Sequence, residues 1–84
     1  MQVHNLISLF IGKCFERDIE YEGNEILNKW RNSVSECQLL CQRTEGCMFF
    51  TFKHIPEDCS LKTSDSGRKN YSDAVSGKKY CSMK

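Results

Sequence analysis

The stretch that decides the fold is Asn32-Ser33-Val34-Ser35-Glu36-Cys37-Gln38-Leu39-Leu40-Cys41-Gln42-Arg43-Thr44-Glu45-Gly46-Cys47-Met48-Phe49-Phe50-Thr51-Phe52. Ser33 followed three residues later by Glu36 is a capping-box signature. Behind it, Val34, Cys37, Leu40 and Cys41 fall on one helical face, and Gly46 is the expected C-terminal stop. The pattern predicts one helix of about three turns. The aromatic, β-prone run from Met48 to Phe52 predicts a central strand buried on at least one face. Cys37 and Cys41, at i and i+4, leave the helix on the same side.

Upstream, Phe15-Glu16-Arg17-Asp18-Ile19-Glu20-Tyr21-Glu22 alternates with the period of a half-buried strand. Glu16, Asp18, Glu20 and Glu22 share one parity and are expected to form a solvated acidic face. Gly23-Asn24 reads as a turn, and Trp30, the sole tryptophan, is expected to pack into the core ahead of the helix, with an interface anchor as the alternative. Downstream, His54-Ile55-Pro56-Glu57-Asp58 is expected as a loop. Cys59-Ser60-Leu61-Lys62 is a short strand with Cys59 and Leu61 inward. Residues 63–70 read as a polar loop, and Ala74-Val75-Ser76-Gly77 bends into a last strand ending at Tyr80-Cys81. One helix against several antiparallel strands is an α+β domain.

The chain has 84 residues and six cysteines, which fits one domain. A chain this short buries only about 60% of its unfolded surface, so its core needs staples. A net charge of +1 is too balanced for a dedicated nucleic-acid binder. No apolar run approaches the roughly 20 residues of a membrane span, so no membrane insertion is expected. Residues 1–60 hold 6 Lys/Arg against 9 Asp/Glu, and residues 61–84 hold 6 against 2. That basic C-terminal edge suits an acidic partner or an anionic glycan, although lysines spaced by Ser, Gly and Asn ordinarily just face water.

The cysteine usage points to an oxidising compartment, yet the start, Met1-Gln2-Val3-His4-Asn5, lacks the basic opening of a secretory signal. The expectation is a piece of a longer secreted precursor, with residues 1–13 a linker or added segment, 14–81 the module and 82–84 a tail. Asn70-Tyr71-Ser72 is a formal N-glycosylation sequon and is read here as the mark of a surface position.

Six cysteines allow 15 pairings, and spacing alone does not choose among them. A zinc site would use Cys37, Cys41, Cys47 and either Cys59 or His54. The short knuckle pairs of structural zinc do not recur, however, and Cys14 and Cys81 would be left over. A cysteine nucleophile needs a positioned base, and only His4 and His54 exist. With no phosphate loop or nucleophile elbow, neither enzyme activity nor a cofactor is expected.

Three clusters, Ser35-Glu36-Cys37-x₃-Cys41-x₄-Gly46-Cys47-x₂-Phe50-Thr51-Phe52, Cys59-x-Leu61-Lys62 and Ala74-x-Ser76-Gly77-x₃-Cys81, resemble the PAN/apple module. The likeness is greatest to the apple repeats of apicomplexan micronemal adhesive proteins. The resemblance implies a single helix on an antiparallel sheet of about five strands. It also implies nested disulfides, Cys41 with Cys47 inside Cys37 with Cys59 inside Cys14 with Cys81. Closing loops of 7, 23 and 68 residues would contribute about 2.4, 3.4 and 4.4 kcal/mol, non-additively.

The resemblance further implies a non-catalytic extracellular module, secreted through micronemes. It would bind another adhesive protein or a host-cell receptor within a multi-apple protein; the alternative is a galactose-type lectin. The polar segment from residue 63 to 79 is the expected ligand face. Arg68, Lys69, Tyr71, Asp73, Lys78, Lys79 and Tyr80 are the candidates, the tyrosines for sugar rings or apolar contact and the charged groups for hydroxyls or acidic partners.

Overall fold

Ser33 begins the helix as expected. Its Oγ accepts the Glu36 N–H at 3.2 Å while its carbonyl accepts the Cys37 N–H at 3.0 Å. The computed structural model, which describes residues 14–80, places helix α1 at Val34–Arg43. The helix stops at Thr44, whose N–H donates to the Cys41 carbonyl and whose Oγ1 donates to the Leu40 carbonyl. Gly46 therefore lies past the cap. Its φ of +87°, cheap only for glycine, turns the chain so that Cys47 comes back to Cys41.

Five strands form one antiparallel sheet: β1 (Phe15–Tyr21), β2 (Glu25–Lys29), β3 (Phe49–His54), β4 (Glu57–Lys62) and β5 (Arg68–Lys78). Their order across the sheet is β1-β5-β3-β4-β2, so the aromatic strand is central. Phe50, Phe52 and Leu61 are fully buried beneath α1, together with Cys37, Cys41, Cys47 and Cys59. Each large apolar side chain so buried contributes about 1.5–3 kcal/mol. Two disulfides run through this layer. Cys37 joins Cys59 with Cα atoms 5.4 Å apart, and Cys41 joins Cys47 at 5.3 Å. Cys14 is also disulfide-bonded, and its expected partner Cys81 lies outside the described residues. Gly77 is required by close approach: a Cβ there would sit 2.8 Å from the Phe15 ring and 3.0 Å from the Cys14 carbonyl oxygen.

Several expectations are corrected. The five-residue loop after β3 is a tight turn, because His54 pairs with Glu57 and only residues 55–56 lie between the strands; the Ile55–Pro56 bond is cis. β2 received no strand reading, and it forms the sheet edge beside β4. The expected loop at 63–70 closes by Gly67, since β5 already starts at Arg68 and runs eleven residues. β5 ends at Lys78, short of the expected end at Tyr80. Trp30 is not core. It is 61% exposed, its Nε1 donating to Glu57 Oε1 at 3.2 Å.

The acidic parity of β1 is not a plain solvated face either. The ladder with β5 shifts register between Arg17 and Ile19, and such a bulge breaks the alternation and bends the strand. Glu20 is left buried, 3.1 Å from Lys53 and 3.6 Å from Lys69. The bent end of β1 is fixed to the sheet by hydroxyls. The Tyr21 N–H donates to Thr51 Oγ1, which lies 2.7 Å from Ser76 Oγ, and Ser76 Oγ donates to the Ile19 carbonyl. With Ser76's proton committed to Ile19, Thr51 is the donor between the two hydroxyls. The chain of bonds returns to the strand on which it began.

Candidate functional site

Two facing aspartates mark the place where the sheet departs from regularity. Asp18 on β1 and Asp73 on β5 have φ of +58° and +67°, and the Asp73 N–H donates to Asp18 Oδ1 at 3.2 Å. Non-glycine residues in the left-handed region are uncommon, and aspartate is among those that tolerate it. Strained backbone concentrates at functional sites. The bulge formed by Tyr71, Ser72, Asp73 and Ala74 lies opposite Asp18, between the paired positions Asn70 and Val75 of the β1–β5 ladder.

Beside this bulge lies a cleft of about 500 Å³. Its apolar lining comes from Phe15, Val34, Ala74 and Val75, and its polar lining from Arg17, Asp18, Ser35, His54 and Asp73. A second groove of about 430 Å³ continues along Lys53, His54, Ile55, Tyr71, Ser72 and Asp73. His54 and Asp73 line both. The His54 ring is held edge-on against Phe52 with centroids 5.0 Å apart. Lys53 Nζ lies 4.2 Å from the Tyr71 ring centroid, a cation–π contact that covers one ring face. Apolar lining with a few convergent polar groups is the usual make-up of a ligand site.

The same end of the sheet carries three exposed large side chains. Ile55, in the β3–β4 turn, is 82% exposed, Trp30 is 61% exposed and Tyr71 is 42% exposed. Tyr71 shares a groove with Ile55, and Trp30 is tied to Glu57 on the far side of the turn. The turn thus sits between an aromatic on the β5 side and one on the β2 side.

The expected ligand residues are dispersed by this geometry. Tyr71 and Asp73 lie together at the bulge. Arg68 is committed to Glu16, at 2.7 Å and 2.8 Å through two nitrogens, and Lys69 to Glu22 at 3.1 Å and Glu20 at 3.6 Å. Their charge is compensated, so the basic edge read from the sequence is largely cancelled by β1. Lys78, at the other end of β5, and Lys79 and Tyr80 beyond it lie five or more residues from Asp73, which is about 17 Å along a strand. There, the carbonyls of Lys78 and Lys79 accept hydrogen bonds from Gln38 and Gln42 of α1. Lys79 Nζ lies 5.5 Å from the ring of Tyr80, which is 67% exposed. From the sequence, Arg17, Asp18 and Ile55 carry no ligand signal, His54 enters only as a zinc ligand or catalytic base, and Trp30 only as the less favoured interface anchor. The Ile55-Pro56 dipeptide was a usable signal, because it marks a tight turn flanked by His54 and Glu57.

Titration follows the ion pairs. The hydrogen bond from Arg68 holds the Glu16 carboxyl below its usual range, helped by the Tyr21 hydroxyl. Burial pushes the Tyr21 phenol well above its ordinary value, and its bond to Glu16 adds to the effect. None of the described cysteines is free, so none offers a thiolate to a metal or an electrophile. Among the described residues no His, Cys, Asp and Glu side chains gather into a group suited to a metal ion. No described helix is long and apolar enough to cross a membrane.

Fold and surface together define a disulfide-stapled α+β module with the chemistry of recognition. The PAN domain family model matches residues 13–83, and the chain belongs to that family. A PAN module from Eimeria tenella is 30% identical over 83% of each chain, with a TM-score of 0.63. The two N-terminal apple domains of Toxoplasma gondii microneme protein 4 share the fold at a TM-score of 0.66 and 23% identity. That match covers 77% of this chain, which spans 44% of the two-domain fragment. Modules of this family are generally non-catalytic binding domains, and no enzyme family is indicated.

Proposed function

We propose that this domain is an extracellular adhesion module that binds a protein partner, another adhesive protein or a host-cell receptor, as one unit of a secreted multi-apple micronemal protein. The observation that carries this reading is the row of exposed Tyr71, Ile55 and Trp30 at the β3–β4 end of the sheet. Binding energy concentrates in a few large anchors, with Trp and Tyr enriched among them. The adjoining cleft supplies Arg17, His54 and Asp73 for polar registration. The kinship with the Eimeria and Toxoplasma modules supports the micronemal setting, and cysteines committed to bridges suit an oxidising exterior. The module limits of 14–81 are part of the same proposal.

A second reading, a galactose-type lectin, is favoured by one feature. Tyr71 keeps an exposed ring surface beside Ser72, Asp73 and His54, the combination that a sugar's C–H face and hydroxyls require. The oxidised domain applied to a glycan array and to a panel of receptor and adhesin ectodomains tests both readings. Protein capture lost in Trp30→Ala supports the first. Galactoside binding lost in Tyr71→Ala and kept in Trp30→Ala supports the second and overturns the first.

A further inference from the structure

Of the five asparagines, only Asn70 opens an Asn-x-Ser/Thr triplet, with Tyr71 rather than proline in the middle. Its surroundings differ from those of its neighbours in the sheet. Asn24 Nδ2 donates to Ser66 at 3.3 Å, and Asn28 Nδ2 donates to Asp58 and Ser60 at 2.8 Å. The Asn70 side chain is exposed and makes no hydrogen bond among the described residues, and the same holds for the Ser72 hydroxyl. Asn70 pairs with Ile19 at the very point where the β1–β5 ladder opens into the bulge. A substituent on its amide would displace no internal hydrogen bond, and the backbone leading away from it is already separated from β1.

We propose that Asn70 is the acceptor of an N-linked oligosaccharide. In the transfer, Asn70 Nδ2 bonds to the anomeric carbon of an oligosaccharide carried on a polyprenyl pyrophosphate. The bond from that carbon to the pyrophosphate breaks, the amide gives up a proton, and the lipid pyrophosphate leaves. The Ser72 hydroxyl supplies the recognition element two residues on. Side chains alternate between the two faces of a strand, and Tyr71 stands with Lys69, Glu20 and Lys53. A hydrophilic chain on Asn70 therefore leaves on the opposite face and keeps the Tyr71 groove open.

The inference rests on the extracellular reading, and the test separates the two. The domain is directed into the secretory lumen of a eukaryotic host by an appended signal, and the tryptic peptide of residues 70–78 is weighed before and after peptide-N-glycosidase treatment. The expected result is sugar on residue 70, absent in Asn70→Gln and Ser72→Ala and retained in Ser72→Thr. An unmodified residue 70 in a fully oxidised chain overturns the glycan and leaves the extracellular reading standing. Free thiols in the lumenal chain overturn that reading, whatever residue 70 carries.

Discussion

The helix-covered face of the sheet and the bulged β1–β5 edge are held by different forces. Under α1, Phe50, Phe52, Leu61 and four half-cystines are wholly removed from water, and two disulfides bind helix to strand and to the following turn. At the bulge, contact is made through Thr51, Ser76 and Tyr21 and through the carboxylates of Glu16 and Glu20. The first region depends on buried apolar area and closed loops, the second on hydrogen bonds that tolerate bent backbone. A rigid, stapled layer permits the opposite edge to be irregular, and the irregular edge carries the cleft proposed as the ligand site.

If the contrast is right, breaking the staple has the largest effect. Removing the 37–59 bridge by paired alanine substitution should destabilise the domain by about 2–5 kcal/mol, seen as a large drop in the denaturant midpoint. Full thiol reduction should lower the melting temperature at least as far, and an unchanged melt would contradict the account.

Next comes the hydroxyl relay. Thr51→Val leaves the buried Tyr21 N–H without its acceptor and Ser76 without its donor, a loss of about 1–3 kcal/mol. Amide exchange should accelerate at Tyr21 more than in α1. Uniform acceleration would mean that the two regions are not separable.

Smaller still is the effect of pH. Because Arg68 holds the folded Glu16 carboxyl below its unfolded value of about 4.3, the contribution of this pair is complete above that pH. It is lost as the pH falls through the lower folded value. Tyr21 works in the opposite sense. Its raised folded pKa makes its contribution complete below about pH 10 and lost as pH rises through the folded value. Thermal melts across both limits should show the acid limb flattened in Glu16→Gln and the alkaline limb flattened in Tyr21→Phe.

The same division explains what could be read from the sequence. The capped helix, its Cys37 and Cys41 face and the aromatic strand are local patterns, and local patterns reflect burial directly. Trp30 defied that logic, since an isolated tryptophan ahead of a helix carries no periodicity to say which way it faces. The acidic run of β1 alternates cleanly in sequence, but the bulge at Asp18 is set by pairing with residues more than fifty positions away. Arg68 and Lys69 looked like a free basic edge for the same reason. Their partners Glu16, Glu20 and Glu22 are brought opposite them only by the β1–β5 ladder. Tyr71 and Asp73 enter the candidate set from sequence because their residue types carry ligand chemistry wherever the chain places them.

The smallest effect on stability should accompany the largest effect on function. Asp73 sits at φ +67°, where glycine is unstrained, and Trp30 is largely exposed. The double variant Trp30→Ala, Asp73→Gly should melt within a few degrees of the parent. The direct measurement is binding of the fluorescently labelled, oxidised domain to cultured vertebrate epithelial cells, with that variant compared against charge reversal at Lys78 and Lys79. The account predicts that the double variant binds at least ~10-fold more weakly, a loss of about 1.4 kcal/mol, while the lysine variant keeps most of its binding. Unchanged binding by a folded double variant, with loss in the lysine variant, would place the ligand at the other end of β5 and contradict it.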